Sequence, residues 1–203
     1  MHLVPTQDEV VALLRKTGGL RDGHFAYPSG RHVNEYLQVA LSMRHYDVAK
    51  ILSVGLSRQL RAHADIRAMI PELSVVAPAT GGLPVAYGVC EALRARQVYW
   101  AERQNQNEPL RLRQYLEVEP GEKILLVDDI LRSGKEIAGL KQLVESQGGE
   151  VVAVAVVIYQ PSPSVQNFDP LPFYYLARLD ATYSDPDNCP QCKRGEPVES
   201  VWV

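Results

Sequence analysis

Cysteine is nearly absent from this chain, with three among 203 residues. So few thiols cannot build a disulfide framework, which excludes a fold held together by covalent cross-links. No apolar run approaches the ~20 residues of a membrane span, so no membrane partner is expected. The start MHLVPTQDEV lacks the basic and apolar regions of a secretory signal. An excess of positive charge is missing too. The net charge is −3 and charged residues make up 22%, so no nucleic-acid partner is expected. There are no internal repeats or low-complexity segments. These absences leave a cytoplasmic enzyme or binding protein as the expectation, with residues 1–203 forming one domain long enough for a sizeable core.

The most informative stretch is Lys123 to Glu136, KILLVDDILRSGKE. Ile124 to Val127 reads as a strand buried on both faces, and it ends in the adjacent carboxylates Asp128 and Asp129. A small turn at Ser133 and Gly134 then opens a helix whose Ile137, Leu140, Leu143 and Val144 share one face. Amide groups and the positive dipole end at such a helix start favour a phosphate. The acidic pair would repel that phosphate unless hydroxyl donors or a magnesium ion lay between. A sugar phosphate has both features. Ser133 and Glu136 also have the Ser-x-x-Glu spacing of a capping box, which would close the helix start with no ligand. That account gives the acidic pair no role.

Elsewhere the pattern is one of alternating strands and helices. Thr6 and Glu9 have capping-box spacing before a helix through Val10, Val11, Leu13 and Leu14. Asp47 is a candidate N-cap for a helix through Val48, Ile51, Leu52, Leu56 and Leu60, which repeat at helical spacing as core residues. Ser74 to Ala77 reads as a strand, followed by the small-residue turn Ala79-Thr80-Gly81-Gly82 and a helix through Val85, Val89 and Leu93. Val98 to Ala101 is a further strand leading into the polar segment ERQNQNEPLRLRQ, and Val151 to Ile158 is an interior parallel strand. Such a succession builds an α/β sheet with ligands at the carboxyl ends of its strands. The tail carries Cys189 and Cys192 as one C-x-x-C, half the ligands of a tetrahedral zinc, and Cys90 falls on a core helix. No complete metal site within the chain is evident, and two reduced thiols are expected.

The Asp128-to-Glu136 segment resembles the phosphoribosyl diphosphate (PRPP) signature of type I phosphoribosyltransferases, with Ser133 and Gly134 where the family usually has Thr-Gly. The segment around Phe25, Ser29, Gly30 and Tyr36 and the Cys-Pro-x-Cys ending resemble orotate phosphoribosyltransferases of one bacterial subgroup. This resemblance implies the type I phosphoribosyltransferase fold, a central mostly parallel sheet flanked by helices, with a hood from 1–45 and 160–203 and a mobile loop at about 103–114. It further implies PRPP binding by Asp128, Asp129, Ile130, Leu131, Arg132, Ser133, Gly134, Lys135 and Glu136. Diphosphate falls to Ala79, Thr80, Gly81, Gly82 and Arg103, the base to Phe25 and Tyr36, and catalysis to Asp128, Asp129 and Arg103, with further loop charge from Arg111 and Arg113.

Magnesium would arrive with PRPP, with no metal held by the protein itself, and the assembly would be a homodimer. Pro28 stands where these enzymes usually have Lys or Arg, and Tyr159-Gln160-Pro161 follows where they generally show an acidic residue and then a base-contacting Arg, with no Arg between Ile158 and Leu176. Orotate is the expected base. Transfer to another base, or PRPP binding by a regulatory protein without turnover, are the alternatives.

Overall fold

In the computed structural model, residues 3–105, 108–112 and 116–201 are described. The helices are α1 (Gln7–Lys16), α2 (Val39–Met43), α3 (Tyr46–Ala62), α4 (Ala64–Met69), α5 (Gly82–Leu93), α6 (Lys135–Ser146) and α7 (Pro190–Lys193). The strands are β1 (Leu20–Ala26), β2 (His32–Leu37), β3 (Ser74–Pro78), β4 (Gln97–Glu102), β5 (Arg111–Leu112), β6 (Lys123–Leu131), β7 (Glu150–Tyr159), β8 (Phe173–Arg178), β9 (Tyr183–Ser184) and β10 (Glu199–Ser200). A six-stranded sheet has the order β5-β4-β3-β6-β7-β8. It is parallel except for β5, which runs against β4.

Helices cover both faces of this sheet, and the period-2 alternation of its strands feeds two cores. Val75, Ala77, Leu125, Val127, Ala153 and Ala155 join the cluster that includes Val48, Leu52 and Leu56 of α3 and Val85 and Val89 of α5. Val76, Ile124, Leu126, Val154 and Val156 face Ile137, Leu140 and Val144 of α6. The expectation of a strand buried on both faces therefore holds for β6. The chain leaves β3 through α5 toward β4, and leaves β6 through α6 toward β7, on the opposite side. Between β3 and β6 the strand order reverses, which is where an open α/β sheet gathers its ligand.

Local capping separates what spacing alone can and cannot say. Thr6 and Glu9 form the expected capping box on α1. Asp47 does not cap α3: His45 holds that position, and Asp47 lies in the first helical turn, where its charge still meets the positive dipole end. The Ser133–Glu136 box is also absent. Gly134, at φ +77°, is the residue before α6 and makes no side-chain cap, and the Ser133 hydroxyl accepts instead from the Lys135 amide at 3.4 Å.

A second, four-stranded sheet in the order β10-β1-β2-β9 forms the hood. β1 and β2 are a hairpin, and the tail adds β9 against β2 and β10 against β1. The hood is smaller than the sequence boundaries 1–45 and 160–203 suggest. α1 packs against β8, and β8 is the edge strand of the main sheet, because Tyr174, Leu176 and Ala177 of β8 contribute to the main core. Among the described residues, the hood's own core is Phe25, Val33, Tyr36 and Val201, with Tyr27 and Tyr183 packed on it.

The three cysteines are unpaired, as expected. The expectation that Cys189 and Cys192 lack partner ligands is corrected: the hairpin brings His24 and His32 beside them. The two pairs lie far apart in sequence, and only the hood's strand pairing makes them neighbours.

Candidate active site

The backbone of β6 explains how two carboxylates come to be exposed to a ligand at the centre of a sheet. Its pairing with β3 stops at Val76 opposite Leu126, whereas its pairing with β7 continues past Asp128 to Leu131 opposite Tyr159. The acidic pair is thus held inside a strand on one side and faces a gap on the other. The sequence boundary at Val127 came too early because it followed the apolar run, and the ladder to β7 does not depend on side chains.

The gap is bounded by the turn from β3 into α5. A Cβ at Gly81 would lie 3.1 Å from the Asp129 carboxyl carbon and oxygens, and one at Gly82 would lie 3.2 Å from Asp128 Oδ1. Only glycine lets the turn approach this closely. The Ala79–Thr80 peptide is cis. Gly81 and Gly82, in the turn that follows Ala79 and Thr80, are therefore packed against Asp129 and Asp128 at the reversal point of the sheet.

Asp128 and Asp129 are 7% and 8% exposed. Asp128 Oδ1 accepts from the Asp129 amide at 2.8 Å. Burial raises the Asp128 pKa well above the usual carboxylate range, and the neighbouring Asp129 charge adds to it. Burial also raises Asp129, against the opposing pull of its contact with Asp128 and of the Arg132 guanidinium. Two desolvated carboxylates of this kind are hard oxygen donors short of positive partners. They fit a magnesium ion or the hydroxyls of a ribose.

The turn from β6 into α6 follows directly. Gly134 needs its positive φ, and a Cβ there would also meet the Phe168 ring at 3.0 Å. The segment after β7 is stitched along this turn: the Gln160, Ser162 and Gln166 amides donate to the Leu131, Arg132 and Ser133 carbonyls at 2.9, 3.2 and 3.0 Å. Arg132 extends toward the hood, donating through Nε to Gln160 Oε1 at 2.9 Å and through a terminal nitrogen to the Leu37 carbonyl at 3.0 Å.

Glu136, whose charge is unwelcome beside a phosphate, is engaged by Arg103 at 3.0 Å. Arg103 also donates to the Glu108 carbonyl. At the base of this loop Leu110 is buried against α6, and β5 pairs with β4. Arg113 and parts of the 103–114 segment lie outside the described residues. Phe25 and Tyr36 are packed in the hood core, their rings 5.6 Å apart, with the Arg21 guanidinium 5.2 Å from each. Sequence reasoning singled out neither Arg21 nor the Arg132–Gln160 pairing. The latter was legible in part, since an Arg in the signature and a Gln at the position of a lost Arg are both plain in the sequence.

A family model described as "Phosphoribosyl transferase domain" matches residues 50–167. The chain is 35% identical over 197 residues to the orotate phosphoribosyltransferase of Pelotomaculum thermopropionicum, covering 95% of each. It is likewise 35% identical over 190 residues to that of Carboxydothermus hydrogenoformans, covering 94% of each. The crystal structure of orotate phosphoribosyltransferase from Aeropyrum pernix aligns with a TM-score of 0.63 at 21% identity, over 84% of this chain and 93% of that one, a likeness of fold.

The raised carboxyls have a stability consequence. A group whose folded pKa lies above its unfolded value stabilises below the unfolded pKa, and that contribution is lost as pH rises through the folded one. Asp128→Asn should therefore raise the ligand-free melting temperature by roughly 3–8 °C at about pH 8, the gain vanishing toward pH ~4. Thermal scans across that range check it. A variant less stable than the parent at alkaline pH would contradict this reading.

Proposed function

The chain belongs to the orotate phosphoribosyltransferases, within the phosphoribosyl transferase domain family, and from that premise we propose how its residues carry out the transfer. The 5-phosphoribosyl group of PRPP passes to a ring nitrogen of orotate, giving orotidine 5′-monophosphate and diphosphate. The observation that carries the assignment of roles is the convergence of the Gly81 turn on the Asp129 carboxyl at 3.1 Å. This close approach supports reading the turn as the diphosphate site beside a diol-binding acidic pair.

Asp128 and Asp129 accept the ribose hydroxyls and offset the positive charge that develops at the anomeric carbon as its bond to diphosphate breaks. Ser133, Gly134 and Lys135 hold the 5-phosphate on the start of α6. Ile130 and Leu131 set the register of that turn through the β7 ladder. Thr80, Gly81 and Gly82 present backbone amides to the diphosphate, which departs with the electron pair of the broken bond. Asp128 and Asp129 would hold a magnesium ion brought in with PRPP, and that ion would supply neutralisation of the charge on the departing diphosphate. Arg103 stabilises the same group after exchanging Glu136 for it, which gives the otherwise adverse Glu136 a role in parking that cation. Positioning and electrostatics supply most of the catalysis.

Orotate carries a carboxylate, and the usual cations at the positions of Pro28 and Gln160 are missing. Arg132 supplies the replacement. Its guanidinium lies between Gln160 Oε1 and the Leu37 carbonyl, joining the hood to the turn before α6, which supports a role beside the base. Phe25 and Tyr36 support that wall of the hood. A homodimer in the cytoplasm is part of the same proposal. The face of α3 and α5 with Tyr46 at 79% and Tyr87 at 55% exposure is the surface for the second copy.

Diphosphate release from PRPP and magnesium, followed with orotate and with other bases, tests the reading. Release should depend on orotate, whereas release only with another base would reassign the substrate. Asp129→Asn should lower kcat by about 10²-fold or more, in line with loss of a transition-state contact. Arg103→Ala should slow turnover far more than it weakens PRPP binding in calorimetry. Arg132→Met should raise the KM for orotate about 10- to 100-fold, the worth of a charge-assisted contact; an unchanged orotate KM would remove Arg132 from base recognition.

A further inference from the structure

We propose that the hood holds a structural zinc ion bound by His24, His32, Cys189 and Cys192, remote in role from the transfer reaction. The four donor atoms all lie within 4.8 Å of one another. His24 Nε2 is 2.9 Å from His32 Nδ1, 3.5 Å from Cys189 Sγ and 3.6 Å from Cys192 Sγ, and Cys192 Sγ is 3.2 Å from His32 Nδ1. A zinc tetrahedron with Zn–N of about 2.05 Å and Zn–S of about 2.3 Å has edges near ~3.4 Å for N···N and ~3.6 Å for N···S. These four of the six edges differ from the ideal ones by about half an ångström or less, and the other two lie within 4.8 Å.

The hydrogen bonding around His24 orients it toward a shared centre. His24 Nδ1 lies 3.0 Å from the Glu196 carbonyl, which can only accept, so Nδ1 donates to it. Nε2 is thereby turned toward His32 Nδ1 and both sulfur atoms, in a site where three of the four residues are buried. A single soft-to-borderline cation meets all four donors at once. Two thiolates with two imidazoles in a closed tetrahedron is a donor set that selects zinc. The Glu196 carbonyl acts as the outer partner that fixes the tautomer of a ligating imidazole.

The architecture gives this ion something to do. His24 and His32 lie on β1 and β2, near the hairpin end at which Ala26 is opposite His32 and away from the Leu20–Leu37 end rooted in the main core. Cys189 is the N-cap of the single turn of α7 and Cys192 lies within that turn, with the Lys193 amide donating to the Cys189 carbonyl and the Gly195 amide to that of Cys192. The tail strands β9 and β10 are two residues each. With a four-residue core, the hood is the kind of small unit that a metal staple stabilises. Zinc fastens the tail across the hairpin and so fixes the wall that closes over the base.

The full-length chain, purified without chelator, should contain about one zinc per chain by elemental mass spectrometry, as one closed four-ligand site requires. Cobalt exchanged into it should show the visible bands of a tetrahedral site and a thiolate charge-transfer band. Cys189→Ser combined with Cys192→Ser should lose both the metal and the bands. Stripping zinc from the parent with a strong chelator should lower its melting temperature and expose the tail to protease, and zinc should reverse both. A parent that takes up no zinc or cobalt while both thiols react freely with alkylating reagent at an unchanged melting temperature would overturn the proposal. Zinc retained by the double serine variant would do so as well.

Discussion

Two adjacent carboxylates buried at the end of the central strand are the constraint around which this molecule is arranged. Desolvation raises both their pKa values, so the folded chain without ligand carries an unfavourable feature at its centre. The fold tolerates it because backbone pairing to β7 holds the strand regardless of side chain, and because β3 turns away one residue pair past Leu125. The surroundings of the gap suit the PRPP-bound state proposed above. Small residues line the opposing turn, a glycine at positive φ opens α6, and the chain after β7 is hydrogen-bonded along the phosphate turn. The acidic pair is thus better matched to a liganded state than to the empty one, which is how a binding site differs from a stable core.

The hood answers a different problem. A hairpin with a core of four side chains cannot hold a precise surface over a base by itself. One end of it is rooted in the main core through Leu20 and Leu37. The other end is held by the His24, His32, Cys189 and Cys192 cluster. Between these anchors the Leu37 carbonyl accepts from Arg132, so the phosphate turn and the hood share a residue. Loosening the tail should therefore be felt at the base before it is felt at the phosphates.

Much of this was legible in the sequence wherever one periodicity dominated. The apolar run Ile124 to Val127 announced a doubly buried strand, and Thr6 with Glu9 announced a helix start, because each signal is local. The acidic pair was legible as a site since no packing role suits two neighbouring carboxylates. What could not be read depended on distant neighbours. Ser133 and Glu136 have capping-box spacing, yet Gly134 takes the cap and Arg103 takes Glu136. Strand β8 was placed with the hood because nothing in FYYLAR says which sheet it joins. The cysteines looked half-liganded because the two histidines that complete the set lie at the other end of the chain.

The central claim is that PRPP with magnesium relieves the buried acidic pair, and proton linkage tests it most directly. Binding should be measured by titration calorimetry at mildly acidic pH in buffers of different ionisation enthalpy. Comparison with the chain carrying both Asp128→Asn and Asp129→Asn removes the protons contributed by PRPP itself. The account predicts that the parent releases more protons on binding than the double variant, because the ligand favours the ionised carboxylates. Equal proton release and equal affinity in the two proteins would contradict it.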